Sequence, residues 1–163
     1  NVRDIEKNTF YLRATMNAYI KFNILPNLNF KSMISGRYDG RKYKSFAPST
    51  TALGLPFGGA AQIDNFTSLD RLIENTLNYT LVRGDHHIDA VAGMTAQKNN
   101  SEDHFQSSNL FSNQILGYNN LGAATNNAPP VTSASEWQLA SFLRRVNYNY
   151  KDKYLLTASF RAD

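Results

Sequence analysis

The stretch SEWQLASFLRRVNYNYKDKYLLTASFRAD, residues 135–163, decides the fold. Two segments of alternating polarity flank the short charged turn Lys151-Asp152-Lys153. Successive side chains of a β-strand point to opposite faces, so residues of one parity share a face. On this rule the apolar residues fall together, as Ala140, Phe142, Val146, Tyr148 and Tyr150 before the turn and Tyr154, Leu156, Ala158 and Phe160 after it. The pattern predicts a β-hairpin with one apolar and one polar face.

The same alternation recurs upstream in four further segments. The longest is Thr9–Ile24, in which every even-numbered residue from Phe10 onward is apolar. The others are Leu28–Tyr38, Arg71–Arg83 and His87–Lys98, with short turns at 25–27 and 84–86. The sequence therefore predicts an all-β fold of six antiparallel strands in three hairpins.

Between the hairpins the alternation fails over two long stretches. Residues 39–69 are rich in Gly, Pro, Ser, Thr and Ala, and residues 99–134 are rich in Asn and Ser. We predict two long loops there. Loops of more than about 15 residues are unusual in compact soluble domains. Short turns that alternate with long loops are typical of outer-membrane barrels, whose loops are extracellular.

Composition excludes several classes of protein. The 163 residues include no cysteine, so neither a disulfide nor a thiolate metal site can form. The formal charge of +4 is spread along the chain without a compact basic run, so we expect no nucleic-acid partner. No apolar run of about 18 residues exists, so a membrane-spanning helix is not expected, whereas spanning strands need only about 9–11 residues. The sequence begins without an initiator Met and ends within a strand pattern, so we expect an internal piece of a longer protein.

The strand sequences resemble those of one family. RVNYNYKDKYLLTASFRAD, from Arg145 onward, resembles the barrel of SusC/RagA-type TonB-dependent outer-membrane transporters of Bacteroidota. The segments ILPNLNFKSMIS (24–35), ENTLNYT (74–80) and HHIDAVAGMTAQK (86–98) are similar to that family's hairpins, in the same order. Family members commonly carry glycine where Arg144 stands. By parity Arg144 points toward lipid, so we expect that it lies near the headgroups or that a local bulge shifts the register.

The resemblance implies an architecture and a set of partners. Residues 1–163 would be part of a transmembrane barrel of about 22 strands, in the outer membrane and surrounded by its lipid. The plug domain, through which the TonB complex acts, is not present in these residues. A SusD-like surface lipoprotein would form a lid, and the cargo would be an oligosaccharide or a peptide. The inward-facing side chains would contact the plug or line the lumen, namely Arg13, Asn17, Lys21, Arg37, Asn78, Arg145, Asn147 and Arg161.

Candidate sites are few. His86 and His87 are adjacent, so in a strand they point to opposite faces, and no ligand spacing completes a metal site with them or with His104. The sequence has neither a phosphate-binding loop nor a nucleophile elbow. We expect the Asp and Glu side chains of the loops to be hydrated and not to form a catalytic pair. We expect no catalytic site and no cofactor.

The aromatic residues of the two long loops are the remaining candidates. They are Phe46, Phe57 and Phe66 in the first loop, and Phe105, Phe111 and Tyr118 in the second. Such rings stack on sugars or contact a lid, although loop aromatics more often pack the loops together. A soluble β-sheet module that binds a ligand such as a carbohydrate through these loops is the alternative to a transporter. An outer-membrane enzyme or autotransporter barrel would need catalytic groups that the chain does not show.

Overall fold

A computed structural model describes residues 4–163. Its strands are β1 Glu6–Leu25, β2 Leu28–Ala47, β3 Ala60–Arg83, β4 His86–Phe111, β5 Ala124–Asn127, β6 Val131–Tyr150 and β7 Tyr154–Ala162. Short 3-10 turns lie at Leu55–Phe57, Gly117–Asn119 and Leu121–Ala123. Within residues 4–163, no helix is both long and apolar enough to cross a membrane.

The strands form one seven-stranded sheet. Its order is β1-β2-β3-β4-β6-β7, and the short β5 pairs antiparallel with β4. Consecutive long strands are neighbours, as hairpin connections require. The all-β hairpin fold predicted from the sequence is confirmed, and the four-residue β5 is an addition that no alternation pattern indicated.

The hairpin of β6 and β7 has an unbroken antiparallel register. Tyr150 lies opposite Tyr154, and the pairing continues without a slip to Phe142 opposite Ala162. Lys151 and Asp152, at the turn, have positive φ angles of 56° and 50°. The apolar residues of both strands thus share one face, and the register shift considered for Arg144 does not occur.

The prediction of two long loops, at residues 39–69 and 99–134, is wrong over much of their length. β2 continues to Ala47, β3 begins at Ala60 and β4 extends to Phe111. Backbone hydrogen bonds close this end, with the Phe111 amide donating to the Gly58 carbonyl at 3.0 Å. Of the two predicted loops, residues 48–59 and 112–130 lie outside the long strands, and the second of these stretches contains β5. The added strand segments carry polar residues on both faces, so their extended conformation leaves no alternation of hydrophobicity.

The chain divides into two compact units. Unit 1 comprises Asn1–Ala14, Tyr38–Leu69 and Asn100–Ser135, and unit 2 comprises Thr15–Arg37, Asp70–Asn99 and Glu136–Asp163. Unit 1 contains both connecting segments, whereas unit 2 contains the three short hairpin turns.

Unit 1 is organised around a small aromatic core. Phe46, Ala61, Phe111 and Ala124 are its buried members, and the rings of Phe46 and Phe111 meet edge to face with centroids 5.3 Å apart. Gly117 has a φ of 48°, and a Cβ there would lie 3.0 Å from the Phe46 ring. Glycine at this position therefore allows the segment 112–123 to lie directly on Phe46.

Polar contacts fix the connecting segment 48–59 against the segment that follows β4. The Gln114 side chain accepts a hydrogen bond from the Ser49 amide at 3.0 Å and donates to the Ser49 hydroxyl at 2.9 Å. Thr51 is buried, and its hydroxyl donates to the Pro48 carbonyl and accepts from the Gly54 amide. The segment is thus an ordered turn rather than a free loop.

In unit 2 the hairpin turns bond to their neighbours. The Thr80 amide donates to the Asn27 carbonyl at 2.9 Å, and the Lys151 amide donates to the Asp85 carbonyl at 2.9 Å. Gly84 adopts a φ of 58°, which suits a glycine in a two-residue hairpin turn. The first bond joins the β1–β2 turn to β3, and the second joins the turns of the β3–β4 and β6–β7 hairpins.

Candidate functional site

One face of unit 2 carries polar side chains that bond across the strands. The Ser35 hydroxyl donates to the Asn17 side chain at 2.5 Å, and Asn78 Nδ2 donates to Asn29 Oδ1 at 3.2 Å. Further along the same sheet, the Thr157 hydroxyl bonds to Asn147 at 3.0 Å. Cross-strand polar pairs of this kind stabilise a sheet whose face is wet or meets other polar groups.

Asp70 is the charged centre of that polar face. Its carboxylate accepts a hydrogen bond from Arg37 Nη2 at 2.6 Å and another from the Asn99 side chain at 2.8 Å. Because Arg37, Asp70 and Asn99 lie on β2, β3 and β4, the carboxylate joins three strands. Arg37 and Asn78 are thus both hydrogen-bonded within the sheet, to Asp70 and Asn29 respectively.

Unit 1 has a second charged cluster. Arg13 pairs with Asp39, and Arg41 Nη2 lies 3.2 Å from both carboxylate oxygens of Asp64. The Arg41 guanidinium also lies 5.9 Å from the ring centroid of Phe66. Arg13, Asp39, Arg41 and Phe66 line a groove. Its two cations are balanced by Asp39 in the lining and by Asp64 outside it. The groove could hold a polar ligand, but its own charges are already compensated.

The opposite face of the hairpins is apolar and exposed. On β1 the residues Met16, Ile20, Phe22 and Ile24 are between 56% and 67% exposed. On β6 and β7 the residues Phe142, Val146, Leu156 and Phe160 are between 44% and 66% exposed. A contiguous apolar surface of this extent is rare on soluble proteins and marks contact with lipid or with another apolar surface.

Polar residues bound this apolar face on three neighbouring strands of unit 2. Arg71 and Arg83 bracket it on β3, His86 and Lys98 on β4, and Gln138 and Tyr150 on β6. About 11 residues lie between the members of each pair, which is the length that a tilted strand needs to cross a bilayer. Two polar residues interrupt the band, Asn75 on β3 and Arg144 on β6.

Aromatic and basic residues gather at the turn end of the apolar face. His86 Nδ1 lies 2.7 Å from the Tyr148 hydroxyl, and the His86 and Tyr150 rings are 4.9 Å apart. Lys151 and Lys153 lie over the rings of Tyr150 and Tyr154 at 5.4 and 5.6 Å. Rings with one apolar and one polar end suit a membrane interface.

Arg144 lies on the apolar face. Its backbone lies opposite Phe160, and Leu143–Arg161 and Arg145–Ser159 continue the register on either side. It stands midway between Gln138 and Tyr150, and no ion pair among the described residues involves it. Its position is therefore central in the band.

The structure separates the six candidate loop aromatics. Phe46 and Phe111 are 2% and 6% exposed and cover each other, so their rings pack the connecting segments together in this fold. Tyr118 packs beside them, and Lys44 Nζ lies 5.3 Å from its ring. Phe105 is half-buried on β4, Phe66 is half-buried beneath Arg41, and Phe57 is 51% exposed.

The histidines have ordinary partners. His86 bonds to Tyr148, as described above, and His87 Nε2 lies 3.2 Å from Asp89. His104 borders a polar groove with Glu102. Nowhere in residues 4–163 do three His, Cys, Asp or Glu side chains come close enough to hold a metal ion.

A hairpin sheet with one paired polar face and one exposed apolar face, as wide as a bilayer, defines a segment of a membrane β-barrel wall. No protein-family model matches the chain. Among curated proteins it is 34% identical over 149 residues to TonB-dependent receptor P26 and 29% identical over 147 residues to receptor P3, both of Formosa agariphila. The alignments cover 89% and 90% of the chain but only 15% of each receptor.

Solved structures show the same fold. The chain matches a structure of the RagAB peptide transporter with a TM-score of 0.88, and the peptide importer in its closed-closed state with 0.85. Each match has 17% identity and covers 98% of this chain and 18% of the other. The chain is therefore a homologue of TonB-dependent receptors that corresponds to part of a RagA-like barrel. Receptors of this class are outer-membrane β-barrels that transport rather than catalyse, and the predicted localisation is confirmed.

Proposed function

We propose that this chain is a wall segment of a TonB-dependent importer of oligosaccharides or peptides. The apolar face of unit 2 contacts outer-membrane lipid, and the polar face contacts the plug or lines the lumen. The supporting observation is the distribution of exposure. Met16, Ile20 and Phe22 are more than half exposed, whereas the buried apolar residues of the described chain belong to the small aromatic core of unit 1.

In this proposal the whole of residues 1–163 belongs to the barrel domain. The connecting segments 48–59 and 112–130 lie on the extracellular side, and the short turns of unit 2 lie in the periplasm. The plug and its contact with the TonB complex are supplied by other parts of the receptor, since the chain spans about 15% of its relatives.

The wall acts as a passive frame. Cross-strand bonds such as Arg37–Asp70 and Ser35–Asn17 fix its polar face, so the moving parts are the plug and a SusD-like lid. The sheet matches the RagAB importer in both its closed-closed state and its open-open state, with TM-scores of 0.85 and 0.82. A frame that keeps one fold in two states supports this division of roles.

A peptide is the better supported cargo, because the matched structures are of a peptide transporter and a peptide importer. Phe57 and Phe66 remain the candidate contacts for cargo or lid, since their rings are accessible. Phe57 is half exposed beside the groove formed by Leu53 and Ala60. The lid itself would be a surface lipoprotein of the SusD type.

Uptake by cells tests the proposal. The full-length receptor is expressed in a strain that lacks it, and import of fluorescent oligopeptides and oligosaccharides is measured with and without TonB. We expect TonB-dependent uptake of one cargo class, with peptides favoured. Uptake that continues without TonB, or no uptake of either class by a correctly assembled receptor, would contradict the proposal.

A further inference from the structure

The apolar face of unit 2 contains a groove whose chemistry changes along its length. Its lining includes Arg71 and Ile73 of β3, Ala96 and Lys98 of β4, and Gln138 and Ala140 of β6. The groove measures about 440 Å³. Because side chains from three neighbouring strands line it, it lies on one face of the sheet.

The polar and apolar residues are in the same order on all three strands. On each strand the polar residue lies farther from the hairpin turns, and the apolar residue lies two positions closer to them. Arg71, Lys98 and Gln138 therefore form a polar rim at the end away from the turns. Ile73, Ala96 and Ala140 form an apolar floor that leads into the eleven-residue band. The small side chains of the two alanines leave room for a ligand along this floor.

The rim is held in place by Glu136. Its carboxylate lies 2.7 Å from Lys98 Nζ and accepts a hydrogen bond from the Gln138 amide at 2.9 Å. Arg71 is exposed, and the Lys98 side chain is 37% exposed. With Arg71 and Lys98 against the one carboxylate, the rim keeps a net positive charge beside an apolar floor. Glu136 is thus a positioning residue for Lys98 and Gln138.

We propose that this groove binds a phosphorylated, acylated lipid of the outer leaflet. Its phosphate lies between Arg71 and Lys98 with Gln138 as a further donor, and an acyl chain lies over Ile73, Ala96 and Ala140. Charge complementarity favours an anionic headgroup, because a basic residue near a bilayer surface attracts anionic lipid. The distance of about 11 residues from the rim to the turn end places the headgroup at the opposite membrane boundary from Tyr150 and His86.

The inference rests on the proposed function, since it requires the apolar face to meet lipid. It adds a defined headgroup site at one boundary of the band. The turn end also carries lysines, Lys151 and Lys153, but these lie over tyrosine rings and not beside a groove with an apolar floor. The two ends are therefore expected to differ in lipid specificity.

Native mass spectrometry of the full-length receptor tests the site, with dipalmitoyl phosphatidic acid as the probe. We expect Arg71→Ala/Lys98→Ala to weaken binding of the probe about 30-fold, because each basic residue near a bilayer surface contributes about 1 kcal/mol. Lys151→Ala/Lys153→Ala, which removes the same charge from the turn end, should leave this binding within about twofold. Arg71→Lys/Lys98→Arg should retain it and guards against misfolding of the double-alanine variant.

Two competition measurements test whether the groove recognises a whole anionic lipid, the phosphate alone or the acyl chains alone. Inorganic phosphate lacks acyl chains, and dipalmitoyl phosphatidylcholine lacks net charge, so neither should displace the probe. Displacement by phosphate would overturn the lipid assignment, and equal binding by the double-alanine variant would overturn the site. Import of cargo is measured on the same variants. Normal import with lost lipid binding supports the inference, and failed import by the unmodified receptor contradicts only the proposed transport.

Discussion

The two units of this chain differ in the burial of their large apolar residues. Among residues 4–163 the large apolar side chains that are buried lie in unit 1, which also has exposed ones such as Phe10 and Ile115. In unit 1 Phe46 and Phe111 are almost wholly buried against each other and against residues 117–124. In unit 2 Ile20, Phe22 and Phe142 are more than half exposed. The strands carry similar residues, so composition does not cause the difference. What differs is the partner, because the core of unit 1 closes on its own chain, whereas in the proposed function the apolar face of unit 2 meets hydrocarbon.

Replacing the core aromatic should have the largest effect. Phe46→Ala removes a buried ring, for which the expected loss is about 3–5 kcal/mol in the local stability of unit 1. Hydrogen exchange of residues 48–59 and 112–123 in the full receptor should rise sharply. Phe57→Ala is the matched control, since that ring is half exposed and its removal should change exchange little. Equal effects of the two substitutions would show that Phe46 is not the centre of the core.

The second largest effect on stability is expected from removing the charge of Arg144 on the apolar face. Arg144 stands in the middle of the band, where arginine costs about 2–4 kcal/mol relative to an apolar residue. Arg144→Leu should therefore raise the free energy of unfolding in reversible urea titrations of the receptor in lipid vesicles. Arg145→Leu, on the polar face one residue away, should give no gain. If Arg144→Leu destabilises the barrel, Arg144 has a partner in the assembled protein and its face is not plain lipid surface.

Removing a charge from the polar face should instead lower the free energy of unfolding. Asp70→Ala leaves Arg37 and Asn99 without their shared acceptor, and we expect a loss of about 1–3 kcal/mol in the same titration. Asp85→Ala serves as the control, because its carboxylate lies 3.6 Å from Lys151 at an exposed turn. Exposed pairs contribute about 0–1 kcal/mol. A loss at Asp85 as large as that at Asp70 would remove the distinction between wall and turn.

The smallest effect is expected at the turn end of the apolar face. Tyr148→Phe deletes the hydroxyl that lies 2.7 Å from His86 Nδ1 and should cost about 0.5–1.5 kcal/mol. The matched change, Tyr150→Phe, keeps the ring in tilted contact with His86 and should be close to neutral. Comparison of the two variants by thermal unfolding in detergent isolates the hydrogen bond from the aromatic contact.

The sequence predicted the strands well wherever one face is apolar. In Thr9–Ile24 and in the β6–β7 hairpin, parity assigned each side chain to a face because only one face meets an apolar environment. The pattern failed at 39–47, 60–70 and 99–111, where both faces are polar and strand structure depends on pairing with distant segments. Because these stretches contain Gly and Ser, their composition is similar to that of loops. The predicted loops were therefore too long.

Contacts between distant residues explain what the sequence could not show. Phe46 on β2 and Phe111 on β4 are far apart in the chain, and the pairing of both strands with β3 brings them together. Gln114 had no distinguishing signal, although its side chain joins two connecting segments. For Asp70, the complementary Arg37 on the preceding strand was a usable signal, since both have the parity of the polar faces.

Site-directed spin labelling along β6 tests the central claim most directly. Single cysteines at positions 138–150 of the full-length receptor, freed of other cysteines, would carry the label in lipid vesicles. The account predicts that oxygen, which partitions into lipid, reaches even-numbered positions such as Phe142 and Val146 more than Ser141 and Asn147, with a period of two residues. Equal oxygen access at odd and even positions, or a water-soluble nickel chelate reaching the even positions better, would contradict it.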